Sequence, residues 1–237
     1  MGRASALLAV AGALVVWYEV APHLSGWSLW TSILVVSLVL MPATFLLVWL
    51  ALPLWRLSWR ALAAAAAVLI AATAALEAVD AAVLANLAKL AGLTLVGWAF
   101  LTAFENERWV VLVACVIPWV DIFSVAKGPT KEITAHHEDV FGALSIAFVV
   151  PDGAARLGLP DVLFFAVFLG ASARFALRPV ATWLGLATGL ALTMICATWW
   201  DLNGLPALPG IALGFLLPNA DLLWRRLRGS APRVAVD

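Results

Sequence analysis

The chain has 237 residues, of which 65% are hydrophobic and only 12% charged, where a soluble domain would carry roughly 25% charged residues. Fourteen basic residues balance fourteen acidic ones, so no basic surface points to nucleic acid as a partner. Apolar runs of about 20 residues recur from end to end, each long enough to cross a hydrocarbon core of about 30 Å.

Lipid cannot satisfy a peptide group, so such runs must be helices or the strands of a closed barrel. Barrel strands alternate in polarity over about 10 residues. These runs are continuously apolar and much longer. The expected fold class is all-α, a polytopic transmembrane helical bundle of about eight spans, at 4–22, 28–54, 61–79, 84–104, 109–127, 158–177, 180–199 and 204–224. The first run follows Arg3 and is read as a retained helix, because a second long span follows at once without a clear small-residue cleavage site.

Within 61–104, Glu77, Asp80 and Lys89 are placed at or near a short turn as interfacial or snorkelling charges. Trp27, Trp30, Trp55, Trp59, Trp109, Trp199, Trp200 and Trp224 stand at span ends, as an aromatic belt would. Cys115 and Cys196 fall inside apolar runs and are read as buried small hydrophobes rather than a disulfide or metal pair.

One long polar segment runs from about Gly128 to Leu157. Its His136-His137-Glu138-Asp139 cluster is read as solvated loop, since adjacent loop residues rarely converge on one ion, and no metal site is expected. Arg3, Arg56, Arg60, Arg108, Arg174, Arg178 and the arginines of the tail fall on one side of the bundle. Lys127, Lys131 and Arg156 fall on the other. The positive-inside rule then places both termini in the cytoplasm and the polar loop outside, in what is expected to be the cell membrane.

A carboxylate within a span is a functional hypothesis by default, because its insertion costs a few kcal/mol. Asp121 lies about two turns inside the end of its span, and Asp161 near the start of the next. One helix enters the polar loop and the other leaves it, so the two carboxyls lie near the same membrane face. Two carboxyls brought close cannot both ionise readily, and a pair sharing one proton can activate water against a peptide carbonyl. The residues alone leave three uses open: that catalytic pair, a proton- or ion-coupled transport site, or polar ties between helices.

Three segments narrow the choice. Trp119-Val120-Asp121-Ile122-Phe123-Ser124-Val125 resembles the first-aspartate motif of presenilin-type proteases, and Leu157-Gly158-Leu159-Pro160-Asp161 the second, GxGD. Leu205-Pro206-Ala207-Leu208-Pro209 is similar to their third signature, PAL. Order and spacing agree with the presenilin and signal peptide peptidase family over about 108–226. The chain accordingly divides into N-terminal transmembrane helices, 1–107, and a catalytic transmembrane region, 108–237. The resemblance departs at Val120, where an aromatic is usual, and at Pro160, where glycine is usual.

The resemblance implies an intramembrane aspartyl protease without cofactor, hydrolysing peptide bonds within transmembrane segments or signal peptides. Asp121 and Asp161 would be its catalytic pair. Pro206, Ala207 and Leu208 would shape the site and hold substrate, and Gly158 and Leu159 would support the backbone around Asp161. The segment 143–151, with Leu144, Val149 and Val150, resembles the stretch that pairs with substrate as an added strand, against the simpler reading of a loop dipping into the interface. Partners would be transmembrane-helix proteins or peptides and membrane lipid, with the oligomeric state undetermined.

Two other uses of the same residues stand beside this one: a transporter using the two aspartates, and a non-catalytic relative that binds membrane helices. Type IV prepilin peptidases share a GxGD aspartate, but the PAL-like segment and the absence of a cysteine-rich loop set this chain apart. Pro118 is expected to kink its helix. Asp152, Asp201 and Glu19 are read as interfacial. Gly185, Gly189, Gly210 and Gly214 are read as marking close helix contacts.

Overall fold

The computed structural model describes residues 2–127, 142–151, 153–202 and 205–229. Eight helical rods account for nearly all of them. They are α1 (Arg3–Val20), α2 (Leu29–Arg56), α3 (Trp59–Ala78), α4 (Ala82–Leu101), α5 (Glu107–Lys127), α6 (Leu159–Arg174), α7 (Pro179–Trp199) and α8 (Leu208–Gly229). Among the described residues, six of these (α1 to α5 and α7) are long and apolar enough to cross a membrane. The chain is a multi-pass membrane protein with an all-α polytopic bundle, as composition dictates.

Local chemistry sets the ends. Ser28 caps α2 by accepting the Thr31 amide at 3.1 Å, and Ser58 caps α3 by accepting that of Ala61 at 3.3 Å. Asp80, in the left-handed region at φ 56°, closes the turn between α3 and α4. Within α2 the turn Val36–Leu40 widens to a π-turn. The cause follows directly in sequence: Pro42 has no N–H to give Leu38, and its ring would crowd that carbonyl in a normal turn.

Helix α6 has only 16 residues, about 24 Å of rise. It needs no greater length or lipid-facing surface, because it forms the centre of the bundle. Val162 and every residue from Phe165 to Ser172 are buried. Phe165 stacks on Phe45 of α2 with centroids 4.0 Å apart, and Phe168 on Phe215 of α8 at 4.9 Å. Trp98 of α4 packs fully buried beside it and donates its indole N–H to the Ala166 carbonyl at 3.0 Å. Trp98→Phe keeps most of the ring but leaves that contact unmade. It is expected to lower stability by about 1–2 kcal/mol, read from thermal unfolding in detergent.

The polar loop returns to the bundle as a hairpin, β1 (Ser145–Val150) and β2 (Gly153–Gly158), antiparallel with Ser145 opposite Gly158 and Val150 opposite Gly153. The segment 143–151 is thus a strand in its main part.

Two readings need correction. Cys115 is exposed on α5 and Cys196 half-buried on α7, both free thiols, because each lies on a helix face that the bundle leaves uncovered. Lys89 is not at a turn: it lies well inside α4, with its side chain largely buried and 2.6 Å from Glu77. Of the tryptophans read as a belt, Trp30, Trp59, Trp109, Trp199, Trp200 and Trp224 are exposed near helix ends, while Trp27 and Trp55 are half-buried.

Candidate active site

Helix α5 carries Asp121 six residues before its end at Lys127 and runs unbroken through Pro118. Pro118 offers no N–H to the Ala114 carbonyl, so that carbonyl, about two turns before Asp121, loses its helical partner. The flank around the aspartate is open toward lipid, for Trp119, Val120, Ile122 and Phe123 are all exposed. Val120, the departure from the usual aromatic, therefore faces away from the packed side of α5.

Asp121 itself is half-buried and turns toward α8. Its Oδ2 accepts the Leu208 amide at 3.0 Å. Leu208 opens α8, and Ala207 is that helix's cap, its carbonyl accepting the Ile211 amide at 3.1 Å. The first N–H groups of a helix have no partner within it, and the aligned peptide dipoles favour an anion there. A carboxylate from a helix 87 positions away thus caps the last span. Ala207 and Leu208 are buried beneath it, and Pro206 is half-buried in the preceding turn.

Asp161 stands in the first turn of α6, where Gly158 is the cap and Pro160 lies within the first two helical positions. A proline there loses nothing, since that N–H would have no helical partner. The proline departure is therefore accommodated in place, and the carboxyl beside it points back to the Gly158 amide. Leu159 donates its amide to the Leu144 carbonyl at 3.1 Å, tying the start of α6 to the foot of β1. The two aspartates lie within electrostatic reach of each other. Compared with known proteins, the chain matches no family model and no curated sequence. What the site can do rests on its own geometry.

Three segments contribute to this geometry: Asp121 on α5, the turn of Gly158, Leu159 and Asp161 at the start of α6, and Ala207-Leu208 at the start of α8. Val149 and Val150 lie at the far end of β1, whereas Leu144, just before β1, is joined through its carbonyl to Leu159 at the start of α6. Leu144 is exposed, and Val150 is buried in the core. The cluster 136–139 and Asp152 lie outside the described residues. Asp201 is exposed in the turn after α7, in the left-handed region at φ 50°.

Four residues around the hairpin were missed in the sequence. Trp17 Nε1 donates to the Val149 carbonyl at 2.8 Å, and the Tyr18 hydroxyl donates to that of Ala147. The Asn86 amide accepts the Ala147 N–H at 3.3 Å and donates to its carbonyl at 3.4 Å. Lys89 Nζ lies 3.5 Å from the Ser145 carbonyl and 3.4 Å from that of Gly142. A signal was available: Asn86 and Lys89 are three apart, hence on one face of an otherwise apolar helix. Tyr18 is the only tyrosine in the chain.

Consequently β1 presents no open edge, contrary to the expectation for 143–151. Its outward carbonyls and the Ala147 N–H are taken up by side chains of α1 and α4. The exposed strand is β2, where Gly153, Ala154 and Arg156 face outward, and β2 leads through Gly158 directly to Asp161.

Proposed function

We propose that this protein is an intramembrane aspartyl protease of the presenilin and signal peptide peptidase type. The observation that carries the reading is that Asp121 caps the start of α8 at Leu208 while Asp161, in the first turn of α6, lies within electrostatic reach of it. Two carboxyls 40 positions apart in sequence, held on two helices within electrostatic reach of each other, are the kind of pair that general acid–base hydrolysis uses.

In that reaction the pair shares one proton. The carboxylate takes a proton from water, whose oxygen bonds to the scissile carbonyl carbon. The protonated partner hydrogen-bonds the carbonyl oxygen and gives up its proton as the tetrahedral diol forms. Collapse of the diol breaks the C–N bond: the departing nitrogen takes the pair's proton while the other carboxylate takes one from a diol hydroxyl, which leaves the new acid and the pair again sharing one proton. No cofactor enters the balance.

A transmembrane substrate hides its peptide bonds in its own helix, so it must unwind before water can reach them. The outer edge of β2 supplies replacement partners by strand addition, and the unwound chain would then lie alongside the strand that leads to Asp161. Entry would be lateral, past the lipid-exposed flank of α5.

Orientation follows from the arginines. Arg174, Arg178 and Arg226 gather at the end of the bundle remote from the hairpin, where Arg178 pairs with Asp221 at 2.7 Å and Arg226 lies 4.0 Å from Glu107. That end would be cytoplasmic, together with both termini, in the cell membrane. Substrates would then enter with a cytoplasmic N-terminus, as signal peptides do.

The deciding experiment offers a panel of transmembrane peptides to the purified protein in bilayers, with and without an aspartyl-protease transition-state analogue. Cleavage blocked by the analogue is the expected result. Intact peptides throughout, or ion-gradient-driven uptake into sealed vesicles by the same preparation, would sink the protease reading.

A further inference from the structure

A strand in a membrane protein raises a problem that a helix does not. Each of its two edges carries N–H and C=O groups that lipid cannot satisfy. In the hairpin, Leu159 donating to Leu144 fixes which residues bond across the ladder. Ile146, Phe148 and Val150 face β2 with their main chains, and Ser145, Ala147 and Val149 face away from it.

Those three outward residues are the ones met by side chains. Lys89 reaches the Ser145 carbonyl, Asn86 and Tyr18 the Ala147 carbonyl, and Trp17 the Val149 carbonyl. The ammonium and the indole can only donate, and the Tyr18 hydroxyl is used here as a donor, so all three serve carbonyls. An outward N–H needs an acceptor, and Asn86 Oδ1 is the acceptor that Ala147 has. A primary amide both donates and accepts across a span that matches one residue of an adjacent strand.

We infer that Asn86 is a positioning residue, standing in for a neighbouring strand at Ala147 and fixing the hairpin against α4. This rests on the protease reading above and deepens it. Ala147 is opposite Arg156 in β2, and β2 ends three residues before Asp161. The height at which Asn86 holds β1 therefore sets where the outer edge of β2 runs past the carboxyl pair. That height decides which substrate bond reaches the water. With β1 sealed, the substrate has one edge to join.

The test uses full-length protein in bilayers and three readouts: amide hydrogen exchange resolved to single residues, kcat and KM on a transmembrane peptide, and product masses. Asn86→Leu fills the volume without the amide. The Ala147 N–H should then exchange about tenfold faster, while Phe148, bonded within the ladder, stays as protected as before. KM should rise about tenfold with kcat changed much less, and the single cleavage position should spread to neighbouring bonds. Asn86→Asp keeps the acceptor for the Ala147 N–H, with Lys89 one turn away to balance its charge. It should restore both the protection and the single cleavage position.

Wild-type exchange at Ala147 together with an unchanged product pattern in Asn86→Leu would overturn the inference. So would an Asn86→Asp protein that exchanges at Ala147 as fast as Asn86→Leu does. Should Asn86→Leu not fold, wild-type protection and cleavage in Asn86→Asp support the inference, and their loss refutes it. If the wild type cleaves no peptide, the protease reading fails by itself. The exchange measurements alone then support or refute the Asn86 clamp.

Discussion

Asp121→Asn and Asp161→Asn are each expected to lower cleavage roughly a thousandfold or more, with unfolding temperatures close to wild type. The substitution is chosen to separate chemistry from structure. Asparagine has the size of aspartate and keeps an oxygen that can accept the Leu208 amide, which Asp121 now accepts at 3.0 Å. As a helix cap it is as good as aspartate. If Asp121 served only to close the N-terminus of α8, Asp121→Asn would therefore be close to neutral. An asparagine amide cannot take a proton from water, so a catalytic Asp121 predicts loss of turnover in a folded protein. The same reasoning holds for Asp161, whose carboxyl points back to Gly158. Near wild-type cleavage in either variant, measured in single turnover with saturating enzyme, would remove that residue from the chemistry.

The second large effect is structural. Helices α7 and α8 cross at Gly185, Gly189, Gly210 and Gly214, with their main chains in direct contact. A methyl group added at Gly189 would stand 2.2 Å from the Gly210 carbonyl oxygen, and one at Gly185 would stand 2.3 Å from that of Gly214. Both obstacles are backbone, so no side chain can rotate out of the way. Gly189→Ala is expected to cost about 3 kcal/mol or more, near the upper end for overpacking a close contact. Activity should fall too, because Gly210 lies two residues beyond Leu208 and must carry the site's helix start with it. Gly12→Ala on α1 is the control: nothing lies within 4 Å of the added methyl. A helix-interior glycine replaced by alanine there should be neutral or slightly stabilising. Equal unfolding temperatures for the two variants would show that the crossing can give way.

The spans and the two aspartates were legible in the chain because the bilayer makes one local demand of each segment. Every peptide bond must be satisfied inside its own helix, so length and apolarity place a span without reference to its neighbours. The observed helices start and end within a few residues of the apolar runs. Small residues at fourfold spacing announced the crossing of α7 and α8 for a similar reason, since close approach needs them whatever the partner is.

The surroundings of the hairpin were not legible in this way. Trp17, Tyr18, Asn86 and Lys89 come from α1 and α4, more than fifty positions from the strand they serve. In sequence only Lys89 carries a reading of its own, as a snorkelling charge, while Trp17, Tyr18 and Asn86 are single residues in apolar runs. Nothing local distinguishes a lysine that reaches water from one that reaches a carbonyl of a distant strand.

By itself, then, the sequence determined that this protein is a bundle of membrane helices, where its spans run, and which two carboxyls lie within them. Only the tertiary structure decided that Asp121 caps the opening of α8 with Asp161 within electrostatic reach, that side chains of α1 and α4 cover β1, and that β2 is the exposed strand. The division has a physical cause. Burial in lipid is a property of each segment taken alone, whereas an edge is open or closed only by what another part of the chain brings to it.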